Sequence, residues 1–140
     1  MCAMRQIKCL AVAPMHTPSV TTLEATVAAF NRAVSIGADE ELRAVAKKIG
    51  KGVYILYAPD AFFAGLDANR MVQGEIISGV FYIVAVDKDT HPISLTEDQM
   101  MKYMMLFFDP EFYDDSETLR NWSKQLIKEI DSMDVSTINA

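Results

Sequence analysis

The chain has few of the residues that build disulfide frameworks and metal sites. Its 140 residues include two cysteines, two histidines and one tryptophan. Cys2 lies in the N-terminal tail and Cys9 in a predicted strand, so we expect both thiols to be unbonded. A zinc site needs three or four well-spaced ligands, whereas His16 and His91 stand apart in proline-flanked loops. The sequence therefore predicts a reducing, cytoplasmic location and neither a metal nor another cofactor.

Sequence motifs of catalysis are missing as well. Gly74 and Gly79 do not have the spacing of a dinucleotide-binding fingerprint, and no predicted helix follows them. The chain has no P-loop, His-Glu-x-x-His or Gly-x-Ser-x-Gly motif. No catalytic residue is predicted, and an enzyme is the weaker function class. No apolar run approaches the roughly 18 residues of a membrane span, and the piece at 7–13 is too short and strand-like for a signal peptide.

Positive charge is scarce in the second part of the chain. Residues 1–86 hold seven acidic and eight basic side chains, whereas residues 87–140 hold twelve acidic and five basic ones, a net charge of −7. The only basic cluster belongs to a predicted helix end: Arg43, Lys47, Lys48 and Lys51. A nucleic-acid interface needs more clustered positive charge, so direct nucleic-acid binding is not expected. The acidic part instead suits a protein partner with a basic surface.

Composition predicts one globular domain spanning 1–140, with flexible tails at 1–5 and 135–140. Apolar residues make up 51% and charged residues 23% of the chain, which is ordinary for a folded domain. We predict the α+β class, with a small mixed or antiparallel sheet of three to four strands packed with about four helices.

The most apolar stretch, 76–86, predicts the central strand. Its β-branched and aromatic residues suit a pleated surface, and their near-continuous run indicates that both faces are covered. Gly79 predicts a bend inside this strand. Shorter apolar runs predict further strands at 7–13 and Val53–Tyr57.

Capping residues and apolar periodicity predict two helices in the first part of the chain. Thr21 with Glu24 has capping-box spacing and begins a helix that ends at Gly37. Asp39 begins a second helix that ends at Gly50.

Two further helices are predicted after the central strand. Thr96 with Gln99 begins the third helix, and its methionines are interpreted as core packing in the first place and as an adaptable binding surface in the second. Those methionines are Met100, Met101, Met104 and Met105. Ser116 caps the fourth helix, whose apolar face is Leu119, Trp122, Leu126, Ile130 and Met133.

A turn at 65–68 places Asn69 and Arg70 at the start of the central strand. Because a guanidinium group matches carboxylate and phosphate, these two residues predict a site for an anionic, nucleotide-like ligand. The alternative is structural, with Arg70 capping local carbonyl groups or pairing with an acid.

One series of residues runs along the chain: Asn69-Arg70, the strand 77–84, the helix start 94–97, Tyr103, Phe107 and Pro110. This series resembles the family named domain of unknown function 3846, which is typical of phages and mobile elements of bacteria. The resemblance covers most of 7–112 and departs at Asp67 and Ala68, where the family has prolines, and in a longer helical stretch before Val53. It implies a phage or mobile-element origin in a bacterial host and supplies no activity.

The segment 107–115 alternates aromatic and acidic residues around a proline. Aromatic anchors among polar groups are typical of interaction hot spots. The alternative is that Phe107, Phe108 and Phe112 fold inward and leave only the acids exposed. The predicted partner-binding residues are Phe108, Asp109, Glu111, Phe112, Tyr113, Asp114 and Asp115.

Two function classes follow from these patterns. The first is a non-enzymatic accessory protein of a phage or mobile element that binds a host or viral macromolecule, foremost a protein, through the acidic–aromatic C-terminal face. The second is a binder or small enzyme for an anionic small molecule held by Asn69 and Arg70. Formation of a homo-oligomer stays open.

Overall fold

The structure, a computed structural model, describes residues 5–125 and 133–134. Its strands are β1 (Gln6–Val12), β2 (Ser19–Glu24), β3 (Val45–Gly50), β4 (Val53–Tyr57), β5 (Ala68–Val72), β6 (Glu75–Ser78), β7 (Phe81–Val86), β8 (Pro92–Ile93) and β9 (Met133–Asp134). Its helices are α1 (Val27–Val34), α2 (Glu97–Leu106) and α3 (Asp115–Gln125). The α+β class is confirmed. Cys2, Leu126, Ile130 and nearly all of the predicted tails lie outside the described residues.

The main sheet is antiparallel and larger than predicted. Six strands follow the order β2-β1-β7-β4-β3-β9, and β8 pairs with β7 beyond its pairing with β1. A second sheet is the hairpin β5–β6. The prediction of three to four strands was wrong because β2 and β3 lie in segments that were assigned to helices, and because Met133 pairs with Ala46 instead of extending a helix.

Strand β7 is central, as predicted, and all six of its residues are buried. Successive side chains of a strand point to opposite faces of the sheet. Tyr82 and Val84 therefore pack with Phe30 of helix α1, on what we call the α1 face. Phe81 and Ile83 pack on the opposite side, the α2 face, which also holds Tyr103 and Phe107 of helix α2 and its C-terminal cap, together with Val72 and Ile77 of the hairpin.

Gly79 ends a strand and does not merely bend one, so the single strand predicted at 76–86 is two strands. Its φ of +73° is a left-handed conformation that side chains disfavour, and an added Cβ would lie 2.9 Å from Leu66 Cδ1. The chain before it turns back at Gln73 and Gly74, whose φ angles of +50° and +83° suit a tight hairpin turn. Strand β6 consequently pairs with β5 in the second sheet, whereas β7 belongs to the main sheet.

The first predicted helix begins later than expected. Thr21 lies in strand β2 opposite Cys9, and the capping residue is Thr26, whose side chain accepts a hydrogen bond from the backbone N–H of Ala29 at 3.1 Å. The residues before it, Ser-Val-Thr-Thr-Leu-Glu, contain three β-branched side chains in succession, which favour pairing with β1 over a helical turn.

The second predicted helix is absent from the described residues. The segment from Val45 to Gly50 is strand β3, and residues 39–44 have no regular element. The apolar residues stand at helical spacing, but pairing with β4 overrides that local preference. Lys47 and Lys48, assigned to a helix end, therefore lie in a strand.

The two helices of the second part begin close to the predicted positions. The capping box of α2 is confirmed, since Thr96 and Gln99 exchange side chain–backbone hydrogen bonds of 2.8 and 3.1 Å. Helix α3 is capped by Asp114 and not by Ser116, because Asp114 Oδ1 accepts from the backbone N–H of Glu117 at 2.7 Å.

Candidate functional site

Arg70 of strand β5 is fully buried. Its Nε and Nη2 donate to the carbonyl oxygen of Phe107 at 3.2 and 2.8 Å, and Nη2 also donates to the carbonyl of His16 at 2.6 Å. Its Nη1 donates to Asn69 Oδ1 at 2.7 Å and to the carbonyl of Ala13 at 3.4 Å. Each of the five N–H groups of the guanidinium is thus engaged within the chain.

Asn69 completes this arrangement, which we call the Arg70 cluster. Its Nδ2 donates to the carbonyl oxygens of Val12 at 2.7 Å and Gly79 at 2.8 Å. Burial lowers the pKa of Arg70, while the nearby carboxylates of Glu111 and Asp109 raise it. The contacts join the exit of β1, the hairpin and the end of α2, so they favour the structural alternative over binding of an anion.

The aromatic residues of the segment 107–115 divide between core and surface. Phe107 is buried and packs edge-to-face on Phe81, with ring centroids 5.4 Å apart. Phe108 and Phe112 are 52% and 72% exposed. The inward-folded alternative therefore applies to Phe107 alone.

Some of the acids in this segment have internal roles. Glu111 Oε1 accepts from the backbone N–H of Met71 at 3.0 Å and from the Tyr113 hydroxyl at 2.6 Å. Burial, with a smaller effect of Glu111, raises the pKa of Tyr113 to about 12. Asp114 caps α3, and the backbone N–H of Glu117 lowers its pKa.

Asp109 and Asp115 are exposed, and neither caps a helix or holds a loop by a described hydrogen bond; Asp109 acts on Arg70 only through its charge. They are consequently the acids of this segment best placed to meet a partner.

Helix α2 adds an apolar row that the sequence did not clearly predict. Met101 and Met105 are 67% and 71% exposed and stand at i and i+4 on one side of the helix, and Phe108, which follows the C-terminal cap, is 52% exposed. Met100 and Met104 pack against the core from the other side. The sequence signal for this row is that the pair Met100-Met101 is repeated one turn later as Met104-Met105, which makes a helix apolar on two sides. We call Met101, Met105, Phe108, Phe112, Asp109 and Asp115 together the acidic–apolar surface.

A cleft opens between the end of β4, strand β6 and helix α3. It holds about 320 Å³ of empty space, including its opening to solvent. Sequence reasoning missed it because its walls come from distant parts of the chain: Tyr57, Phe62, Glu75, Ser78, Asn121 and Trp122, among others.

A charged pair stands at one end of this cleft. Lys47 Nζ lies 3.0 Å from Glu75 Oε1, with side chains that are 7% and 14% exposed, and the Tyr57 hydroxyl lies 3.5 Å from the same oxygen. Deeper in the wall, Ser78 Oγ is buried without a hydrogen-bond partner among the described residues. A buried hydroxyl of this kind costs about 1–3 kcal/mol relative to a paired one.

The turn at 87–91 gathers the ligand atoms of Asp87, Asp89 and His91 within 4.8 Å of one another. Asp87 Oδ1 accepts from the backbone N–H groups of Asp89 and His91 at 2.8 and 2.9 Å, and the N–H of His91 lowers the pKa of Asp87. These hydrogen bonds within the turn account for the closeness of the three side chains.

Comparison of the chain with protein-family models, with curated proteins and with solved structures finds no match. The resemblance to the domain of unknown function 3846 therefore stays a prediction. Within the described part of the chain, no helix is both long and apolar enough to cross a membrane.

Proposed function

We propose that the protein is a non-enzymatic binding module that docks a protein partner with a basic surface through the acidic–apolar surface. The observation that carries the proposal is exposure. Met101, Met105 and Phe112 are each at least 67% exposed, beside a segment rich in carboxylates. Large apolar side chains that lie in a group on the surface mark interaction sites more often than single ones do.

The apolar members of the surface would supply the affinity. Burying one large side chain of this kind contributes roughly 1.5–3 kcal/mol. Methionine side chains adapt to the shape of a partner, because they are unbranched and polarisable. Phe108 and Phe112 provide aromatic anchors, and such residues dominate the binding energy of interfaces.

The carboxylates would supply selection for a basic partner. Residues 87–140 carry a net charge of −7, so a basic protein is attracted before contact and association becomes sensitive to salt. The resemblance described above supports placing the protein among accessory proteins of phages or mobile elements, which act on host or viral macromolecules in a bacterial cytoplasm.

Affinity capture from a bacterial lysate would test the proposal with two surface variants. One carries Met105→Ser and Phe112→Ser, and the other carries Asp109→Lys and Asp115→Lys. Glu111 and Asp114 are left unchanged because they hold Met71 and the start of α3. We expect the wild type to retain a basic protein, and both variants to lose it.

Two matched controls change the exposed residues that follow helix α1 in the chain. They are Ile36→Ser and the pair Glu40→Lys with Glu41→Lys, all at exposed positions. Both controls should retain the same protein as the wild type. The affinity of the purified complex should fall as the salt concentration rises. Equal retention by all variants, or retention of nothing by the wild type, would contradict the proposal.

A further inference from the structure

The cleft beside helix α3 has the features of a small-molecule site that is separate from the acidic–apolar surface. Ile77 points into the core, so Ile76 and Ser78 lie on the opposite face of strand β6 by the alternation of strand side chains. Strand β6 lies beside α3, because the backbone N–H of Ile76 donates to Asn121 Oδ1 at 2.8 Å, and both Ile76 and Ser78 belong to the lining of the cleft. Ser78 therefore lines the cleft.

The cleft is held open by fixed contacts. Asn121 accepts from the backbone N–H of Ile76 and also donates from Nδ2 to the carbonyl of Gly74 at 2.8 Å, so the hairpin turn and strand β6 are both tied to α3. Phe63 packs edge-to-face on Phe62 and on Trp122, with centroid distances of 5.1 and 4.5 Å. A preformed site loses less conformational freedom when a ligand binds.

The lining identifies the class of ligand. Phe62 and Trp122 offer ring surfaces, which suit a flat partner. Lys47 and Glu75 form a pair, so the charge of the cleft's carboxylate is already balanced. Ser78 Oγ can both donate and accept a hydrogen bond, and it is 95% buried with neither made among the described residues. The empty space of about 320 Å³ includes the opening to solvent, so a bound ring would be only partly enclosed.

We propose that this cleft binds an uncharged, planar heterocycle of one or two rings, which packs on Trp122 and forms a hydrogen bond with Ser78 Oγ. The ligand chemistry is that of a nucleobase-like ring with a polar edge, and it differs from the anionic ligand predicted for Arg70. Asn121 acts as a positioning residue, because its own polar atoms bond the hairpin.

The only tryptophan of the chain lies in the cleft, so its fluorescence reports directly on binding. The probes are adenine and uracil, with inorganic phosphate as the charged control and cyclohexanol as the non-planar control. We expect a saturable change in Trp122 emission with adenine or uracil and none with the two controls. Amide NMR shifts should locate the change at residues 75–78 and 118–122.

Ser78→Ala separates a ligand role from a structural one. Because Ser78 Oγ has no partner in the described structure, the variant should fold at least as stably as the wild type. It should bind the ring about three- to tenfold more weakly, which corresponds to one net hydrogen bond. The matched control Ser123→Ala, on an exposed residue of α3 whose Oγ bonds Leu119, should bind like the wild type.

Three results would overturn the proposal. They are no saturable change with either ring, equal affinity of Ser78→Ala and wild type, and NMR shifts that lie outside the cleft.

Discussion

The two faces of the main sheet bury different kinds of side chains. The core of the α1 face contains no charged side chain among the described residues, and its polar groups bond the backbone: the Tyr82 hydroxyl donates to the carbonyl of Ala33 at 3.2 Å, and Asn31 Oδ1 accepts from the backbone N–H of Ala44 at 2.8 Å. The α2 face, in contrast, buries charged side chains: Arg70 is fully buried, and Lys47 is 6% exposed. Asn69 is buried with them.

This difference shows how a small domain obtains fixed geometry. Apolar contacts are non-directional, so they hold α1 against the sheet without specifying each atom. Hydrogen bonds of a buried guanidinium are directional, and leaving one unmade is costly. The α2 face uses them to fix the end of α2 and the β5–β6 hairpin, which border the acidic–apolar surface and the cleft.

The largest expected effect comes from breaking the α2 face at the Arg70 cluster. Arg70→Ala should lower the free energy of unfolding by about 3–5 kcal/mol, because it leaves the carbonyl group of Phe107 and Oδ1 of Asn69 buried without donors. Urea denaturation measures the loss. Arg32→Ala, at an exposed position of α1, is the control and should change stability by less than about 0.5 kcal/mol. Near-wild-type stability of Arg70→Ala, with loss of a phosphate or nucleotide that stabilises the wild type, would favour anion binding instead.

A smaller effect is expected where β3 meets α2. A Cβ on Gly50 would collide with the hydroxyl of Tyr103, so Gly50→Ala should cost about 1–3 kcal/mol by overpacking. Tyr103→Phe removes the colliding oxygen and should recover much of that loss in the double variant. Thermal denaturation of the two single variants and the double variant gives the coupling. If the stability losses of the two single variants simply add in the double variant, the Tyr103 hydroxyl is not what restricts a side chain at position 50.

On the α1 face, Asn31→Ala tests the hydrogen bond between Asn31 Oδ1 and the backbone N–H of Ala44. Ala44 is fully buried, so removing the Asn31 acceptor leaves its N–H unpaired and should cost about 1–2 kcal/mol. Asn31→Asp keeps an acceptor oxygen and should lose less. If both variants are equally destabilised in urea, the hydrogen bond is not the cause.

Alkaline pH should destabilise the α1 face, which buries the Cys9 thiol and the Tyr82 hydroxyl. Burial raises the pKa of Cys9 from 9.0 to about 12, and burial with the nearby Cys9 raises that of Tyr82 from 10.0 to about 12. The folded state therefore holds these protons longer than the unfolded state. Their contribution is complete below pH 9 and is lost as pH rises towards about 12.

We expect a loss of about 2 kcal/mol near pH 10, most of it from Cys9. Urea denaturation at several pH values measures the slope, and Tyr82→Phe should make it shallower above about pH 10. A stability that is constant from about pH 8 to about pH 11 would contradict the assignment.

Local signals predicted some elements well. The apolar runs gave β1 and β4, and the Thr96 capping box gave α2. The same signals failed at 21–24 and 39–50, where a spacing compatible with a helix lies on chain that pairs with β1 and β4. Partners that are distant in sequence decide such segments, and no local pattern contains them.

The candidate functional sites were also predictable only where they depend on local sequence. The aromatic–acidic composition of 107–115 was visible in the sequence, but which phenylalanines point outwards depends on the packing of Phe107 against Phe81. The cleft joins Tyr57, Ser78 and Trp122, which only the folded chain brings together. The role of Arg70 depended on carbonyl groups from 54 to 57 residues before it and 37 residues after it.

The position of β7 in the main sheet has a consequence for the ribosome-bound chain. The hairpins β1–β2 and β3–β4 are complete once residue 57 has been synthesised, but β1 and β4 meet only across β7, residues 81–86. Until then each hairpin presents an unpaired strand edge, and the α2 face is uncovered because helix α2 follows β7 in the chain. Such edges invite pairing with other chains. Translation of the 29 residues from Ala58 to Val86 is thus the interval in which a nascent chain is most exposed to aggregation.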